Sequence, residues 1–557
     1  MADLEAIEAR LTGPGGPFEI VVEDVLGTPM PVFKNRLRSL RALLEQSASQ
    51  GEKEYLVYED RRISYVEHLR GVASVARALR ERFGVQKGDR VAILAANCPE
   101  WIISFWAAQA LGAVAVGLNG WWAGDEIAYG VRDCDPKVLI ADRRRLQRAS
   151  ASALGVPVVE IETDFEKLVA HDRAATLPDV AIAEDDPAAI LYTSGTTGRP
   201  KGAINTQRNI LALVGIQFFH GARMMLAAAA DGHVPSGPLR PTSTLVTTPL
   251  FHVSGLYTGA IMMLASGAKT VWRGGRFDPE DAMRLIAREQ VTSWGPMGTM
   301  AYRVVHHPEV AKYDLSSVVN IGSGGAPTSP ELQEKIRATF PSARASFGLG
   351  YGLTECTALA TLSFGEDLAR HPHSAGRPLP TVQIEIRDAT GRAVPDGETG
   401  EIHVRSPLVM AGYWRNPQAS AESIVAERWL RTGDIGLLDD GRLYINSRAR
   451  DLILRGAENI YPVEIEQRLE AHPDVLEAAV VGVDHEALGQ EVKAILVLCP
   501  GARVTPAQLS SWVGETLAAF KVPAHWELRA EPLPRNATGK VLKNVLTGSA
   551  ENPFVTE

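Results

Sequence analysis

Hydrophobic and polar positions along this chain switch between two periods. Ser64-Tyr65-Val66-Glu67 has the form of a capping box, a hydroxyl and a carboxylate three residues apart that satisfy each other's backbone donors, and it predicts a helix to about Phe83. Short apolar runs suit buried strands: Val91–Leu94 after Gly88-Asp89, then Ala188–Tyr192, Thr244–Thr248, Ala268–Trp272, Val291–Trp294 and Val318–Ile321. Helical segments separate them, one from about Asn205, one over Pro279–Gln290, and one over Pro330–Phe340 with Ser329 as N-cap and Pro330 in the first turn. The stretches near Ile103–Leu118 and Gly255–Ala268 read as buried helices. This alternation predicts an α/β fold of layered, largely parallel sheets. After Arg377 the period becomes two. Val382, Ile384 and Ile386 alternate with polar residues, and turn signals at Gly391 and Pro395-Asp396-Gly397 precede Glu401–Arg405, so an antiparallel, β-barrel-like subdomain is expected. Beyond Arg450-Asp451 the helix Pro462–Ala471 and strands Val475–Val483 and Val492–Leu498 predict a small α+β unit. We therefore expect a large domain over residues 1–449 and a small one over 450–557. Ala230–Pro241, rich in Gly and Pro, reads as an irregular excursion.

Size and charge narrow the function. A chain of 557 residues exceeds one hydrophobic core. Hydrophobic and charged contents of 45% and 22% are those of an ordinary globular protein. A net charge of −9 lacks the basic footprint of a nucleic-acid binder. Cys98, Cys134, Cys356 and Cys499 form no C-x-x-C pair, which speaks against a disulfide framework or zinc site and for a reducing compartment. The acidic N-terminus, Met1-Ala2-Asp3-Leu4-Glu5, is unlike a signal peptide, and the two longest apolar stretches fall short of the ~20 residues a membrane span needs. A cytoplasmic location is expected; contact with a membrane surface and assembly as a homodimer stay open.

The candidate chemistry starts at Leu191–Ala203. Thr193, Ser194, Gly195, Thr196, Thr197, Gly198 and Lys201 combine small residues, hydroxyls and a lysine behind an apolar run. Small residues let backbone approach a bulky anion, successive N–H groups can form an anion nest, and the lysine adds a movable charge. The ligand this suits is a polyphosphate. A Walker A loop is excluded, because Pro200 precedes Lys201 and Gly202 follows it. Further along stand Gly324-Gly325-Ala326-Pro327 at a strand end, Gly350-Tyr351-Gly352-Leu353-Thr354-Glu355, Thr432-Gly433-Asp434, Ser447-Arg448-Ala449-Arg450-Asp451 and Pro534–Lys540.

Taken in this order, these segments resemble the adenylate-forming superfamily of acyl-CoA synthetases, adenylation domains and beetle luciferases, over about residues 50 to 545. The resemblance implies ATP on the loop 193–201, with Gly324, Gly325 and Ala326 against the adenine. It implies that Tyr351 stacks on the adenine beside Gly352, that Thr354 lies near the α-phosphate, and that Glu355 holds Mg²⁺. Asp434 and Arg448 would contact the ribose, Arg450 and Asp451 would form a hinge, and Lys540 would be the catalytic lysine. Ser447 and Arg450 depart from the family's usual Gly and Lys at the hinge, and Ala457 and Gln490 depart further on. His252, in Pro249–Gly255, would lie beside the reacting carboxylate, with Phe251, Trp294, Gly295, Gly322 and Ser323 lining an acid pocket that offers no charge to a second polar group. The implied activity is AMP-forming ligation of a hydrophobic monocarboxylate to coenzyme A: a medium- or long-chain fatty acid, or an aryl- or alicyclic-substituted alkanoic acid. Three other outcomes of the same motifs are delivery to a carrier-protein thiol, a luciferase-like oxidation and a nucleotide-binding pseudoenzyme.

Overall fold

The computed structural model describes residues 3–149, 154–193, 199–232, 241–325, 328–448, 451–455, 458–486, 488–536 and 539–549. Two mixed sheets form the main body. In the first, the parallel strands Pro187–Thr193, Val114–Gly117, Arg90–Leu94, Val138–Ala141 and Val158–Glu160 lie side by side, and Lys201–Thr206 and Gly412–Tyr413 extend one edge antiparallel. The second has nine strands, its parallel centre running Gly348–Tyr351, Asn320–Gly324, Ser293–Trp294, Ser243–Val246, Lys269–Trp272 and Glu54–Tyr58. The predicted capping box forms at Ser64, with Glu67 Oε2 accepting from the Ser64 N–H at 2.8 Å, and opens the helix Tyr65–Phe83. That helix packs on Pro99–Ala110, where Trp101, Phe105 and Trp106 are fully buried. Burial of each such side chain contributes about 2 kcal/mol, so this layer anchors the first sheet.

One local expectation changes, and one element is added. The stretch 103–118 is a helix that ends at Ala110, a turn at Leu111-Gly112, and then the strand Val114–Gly117. All of it is buried, and a mostly apolar run broken by Ser104 and Gln109 carries no period to separate helix from strand. Between the phosphate loop and the predicted helix stands an additional strand, Lys201–Thr206; pairing with both neighbours fixes it as a strand although its residues carry little β signal. The helix then runs Gln207–Ala230, with Thr206 Oγ1 accepting from the Asn209 N–H at 3.2 Å. Among the described residues it is the one helix long and apolar enough to cross a membrane, and half of its apolar window is buried against the protein.

The predicted antiparallel unit follows as Gln383–Arg387, Gly400–Arg405, Trp429–Asp439, Ile424–Val425 and Arg442–Arg448. A last sheet contains Glu458–Ile460, Ile453–Arg455, Gly489–Leu498, Val475–His485 and His525–Arg529, with its own apolar core around Ile465, Leu469, Val480 and Leu496. The predicted excursion lies mostly at 233–240, outside the described residues.

Candidate active site

The carboxyl ends of the second sheet's parallel strands open into a cleft of about 760 Å³, where open α/β sheets place ligands. Thr193 and Lys201 enter it as direct register partners on either side of the phosphate loop, with Thr193 Oγ1 3.4 Å from the Lys201 carbonyl. Ser194, Gly195, Thr196, Thr197 and Gly198 between them lie outside the described residues, as do Ala326 and Arg450. Gly324 and Gly325 line the cleft at the end of Asn320–Gly324. Gly325 has φ +78°, a left-handed conformation that favours glycine, and a Cβ there would push the Met297 methyl aside.

Gly352, Thr354 and Glu355 line the same cleft. A buried polar network fixes their turn. The Tyr257 hydroxyl donates to Asn205 Oδ1 at 2.8 Å, and Asn205 Nδ2 donates to the Thr354 carbonyl at 3.3 Å and to Thr357 Oγ1 at 3.1 Å. From the edge strand, the Tyr413 hydroxyl donates to Glu355 Oε1 at 2.8 Å, and Lys201 Nζ lies 5.2 Å from the Tyr413 ring centroid. Burial, and then the Glu355 charge, hold that hydroxyl protonated, so it remains a donor. Among the described residues no three His, Cys, Asp or Glu side chains come together. A divalent cation would thus take Glu355 and nucleotide oxygens as ligands, a set Mg²⁺ accepts.

Two predicted nucleotide contacts stand behind the cleft wall. Asp434 and Arg448 are register partners on adjacent strands, and Arg448 Nε lies 2.7 Å from Asp434 Oδ1. The Tyr351 hydroxyl donates to Asp434 Oδ2 at 2.7 Å. Arg448 reaches the cleft, whereas Tyr351 and Asp434 are buried. Asp434 therefore already has a donor on each oxygen, and the three side chains form one unit rather than three separate ligands. Asp451 follows the strand that carries Arg448, before Ile453–Arg455.

Phe251, His252, Trp294, Gly295, Gly322 and Ser323 all line the cleft. His252 precedes a π-helical segment, Ser254–Ile261. The Ser254 backbone N–H lies 3.3 Å from His252 Nδ1 and donates to it, and Ser254 Oγ is 2.8 Å away. That assigns the ring proton to Nε2. Burial pushes the imidazole down to about 4, so it is neutral at ordinary pH.

Lys540 and Asn536 complete the cleft from the last sheet's side. Their loop is internally tied: the Lys540 N–H donates to Asn536 Oδ1 at 2.9 Å, and Arg535 donates to the Gly539 carbonyl at 2.8 Å and to Glu477 Oε2 at 2.9 Å. Gly539 packs directly on Thr299, in the first turn of the helix Gly298–Val305.

The structure also brings in residues the sequence reading missed. Tyr413 stands in Gly412-Tyr413-Trp414, an aromatic pair ahead of an Asn-Pro turn. Gln217 and His220 are polar residues three apart in the apolar stretch between Asn209 and Arg223 of a long helix, and both line the cleft. That spacing was the available signal. The pocket wall is consequently more polar than the sequence-expected lining.

Comparison with known proteins agrees with the fold. The AMP-binding enzyme family matches residues 43–414, and the AMP-binding enzyme C-terminal domain matches residues 464–540. The chain belongs to the AMP-binding enzyme family. A feruloyl-CoA synthase from Amycolatopsis sp is 33% identical over 488 residues, which is 86% of this chain and 92% of that protein. A long-chain-fatty-acid–CoA ligase from Mycobacterium tuberculosis is 34% identical over 493 residues, covering 87% of this chain and 93% of that one. Among solved structures, the o-succinylbenzoate CoA synthetase of Bacillus subtilis, in complex with its acyl-adenylate intermediate, is 30% identical. It covers 92% of this chain and 98% of its own, with a TM-score of 0.76.

Proposed function

We propose that this enzyme joins a hydrophobic monocarboxylic acid, either a medium- or long-chain fatty acid or an aryl- or alicyclic-substituted alkanoic acid, to coenzyme A. The reaction class is ATP-dependent acid–CoA ligation through an acyl-adenylate, with AMP and pyrophosphate as products, in line with relatives named as feruloyl-CoA synthase and long-chain-fatty-acid–CoA ligase. The observation that carries the reading is the convergence of Lys540 with Lys201, Thr354, Glu355 and His252 on one cleft.

A carboxylate is a poor acyl donor because its leaving group would be oxide. In the first step the acid's carboxylate oxygen attacks the α-phosphorus of ATP, and the bond to the β-phosphate bridging oxygen breaks to release pyrophosphate. The substrate is its own nucleophile, so the protein aligns the reactants and neutralises charge. Lys540 brings an ammonium to the developing charge at the α-phosphoryl group, and Lys201 with the phosphate loop holds the departing pyrophosphate. Neutral His252 donates from Nε2 to the acid's carboxylate without adding a charge that would deaden the nucleophile. Mg²⁺ at Glu355, oriented by Tyr413, would offset phosphate charge. In the second step the coenzyme A sulfur attacks the acyl carbon, AMP leaves with the bonding pair, and the thiol proton passes to solvent. We assign residues 1–449 and 450–557 to two domains, with the second turning about Arg450-Asp451 between the steps. The four cysteines, all free, suit a reducing compartment such as the cytosol.

The test is a panel of acids with ATP and Mg²⁺, with and without coenzyme A, followed by mass spectrometry. Pyrophosphate, AMP and an acyl-CoA should form together. ADP as the nucleotide product would overturn the reading.

A further inference from the structure

The long helix Gln207–Ala230 starts two residues after Asn205, the residue that bonds Thr354 beside the reacting centre. Ten residues on, about 15 Å along the axis, the same helix turns Gln217 and then His220 into the cleft. They are three apart and so share a face. This places two hydrogen-bonding side chains at the end of the pocket remote from the adenylating groups. Apolar side chains share this lining: Met262, Leu362 and Phe364 line the cleft, and Phe364 meets the His220 ring edge-on at 4.8 Å.

The chemistry of His220 is set by its neighbour. Arg223 Nη2 lies 3.0 Å from His220 Nδ1, and a guanidinium can only donate. Nδ1 is thus the acceptor and the ring proton sits on Nε2, which has no partner among the described residues. The Gln217 amide likewise has none. Burial first, and then the charge of Arg223, push His220 down to about 4, so it stays neutral. Arg223 itself is ion-paired with Glu8 and flanked by the rings of Phe364 and Phe219 at 5.1 and 5.6 Å. The deep end therefore offers a fixed N–H donor and an amide that can donate or accept, with no net charge.

We infer that Gln217 and His220 recognise a neutral oxygen, a hydroxyl or a ketone, at the end of the acid remote from its carboxylate. The inference rests on the ligase reading and narrows it. A bare hydrocarbon end leaves both polar groups desolvated and unpaired, which a hydrogen-bonding site rejects strongly. A second carboxylate finds no net positive charge to offset its burial.

The test compares length-matched acids in a linear and a ring series, each carrying at the distal position hydrogen, hydroxyl, ketone or carboxylate. The readout is kcat/KM for acid-dependent pyrophosphate release. In the wild type, the hydroxyl or ketone member should exceed both the hydrocarbon and the dicarboxylate by about tenfold or more in at least one series. In His220→Leu and Gln217→Leu, assayed separately, the ratio between oxygenated and hydrocarbon members should collapse towards one; using ratios removes any general loss from poor folding. Equal kcat/KM across the wild-type panel, preference for the dicarboxylate, or ratios unchanged in both variants overturns the subsite and leaves the ligase reading standing. If no acid in either series supports pyrophosphate release, the ligase reading fails and the subsite falls with it.

Discussion

Gly539 offers a way to displace the proposed catalytic lysine without touching its amine. Its φ is +80°, and a Cβ added there would stand 2.2 Å from Thr299 Oγ1. An alanine costs about 1–2 kcal/mol for the left-handed backbone alone. The steric clash adds to this, because real Cβ contacts stay beyond 3.0 Å. Relief requires the loop to back away from the helix Gly298–Val305 by nearly an ångström, and Lys540 moves with it. A misplacement of that size costs on the order of 100-fold in a reaction that depends on alignment. Gly539→Ala should therefore lower acid-dependent ATP–pyrophosphate exchange about as far as Lys540→Ala does, about 100- to 1,000-fold. Neither substitution should much affect thioester formation from a pre-made acyl-adenylate. Thr299→Ala removes the clashing oxygen and leaves the Thr299 Cβ at 3.3 Å, so the double variant should regain part of the exchange rate while keeping the backbone penalty. Wild-type exchange in Gly539→Ala would refute the argument that this contact seats Lys540.

Other consequences can be checked separately. Asp434→Asn leaves Arg448 without its counter-charge and weakens the acceptor shared by Tyr351, so the KM for ATP should rise about 10- to 100-fold in steady-state assays. Tyr413→Phe keeps the ring beneath Lys201 but frees Glu355; the Mg²⁺ concentration giving half-maximal rate should rise about tenfold, as a metal titration would reveal. His68 is fully buried, neither ring nitrogen has a hydrogen-bond partner among the described residues, and burial pushes it down to about 3. Between about pH 6.5 and 3 the unfolded chain binds a proton here that the folded one does not, so stability falls as pH is lowered through that window. His68→Phe should remove this slope, making the variant about 3 kcal/mol more stable than wild type at about pH 4.5 relative to their difference at pH 7, as read by urea unfolding.

The amino-acid sequence alone determined the chemistry's vocabulary. Loop 193–201 pointed to a phosphate site because that reading depends on local residue type and spacing, while the resemblance to a known family supplied the roles expected of Thr354, Glu355, Asp434, Arg448 and Lys540. The capping box at Ser64 and the two-residue period at 382–386 were legible for the same reason: both are short-range effects. What tertiary structure decided was who meets whom. Tyr413 reaches Glu355 only because Gly412–Tyr413 pairs with Lys201–Thr206, about two hundred residues away in sequence. Asp434 is sealed beneath Arg448 by strand register, and Gln217 and His220 face the cleft because their helix packs its neighbouring residues Ile216 and Phe219 into the core. Burial also set the charge of His252 and His220, which a bare sequence cannot carry, since desolvation is a property of the surroundings and not of the residue.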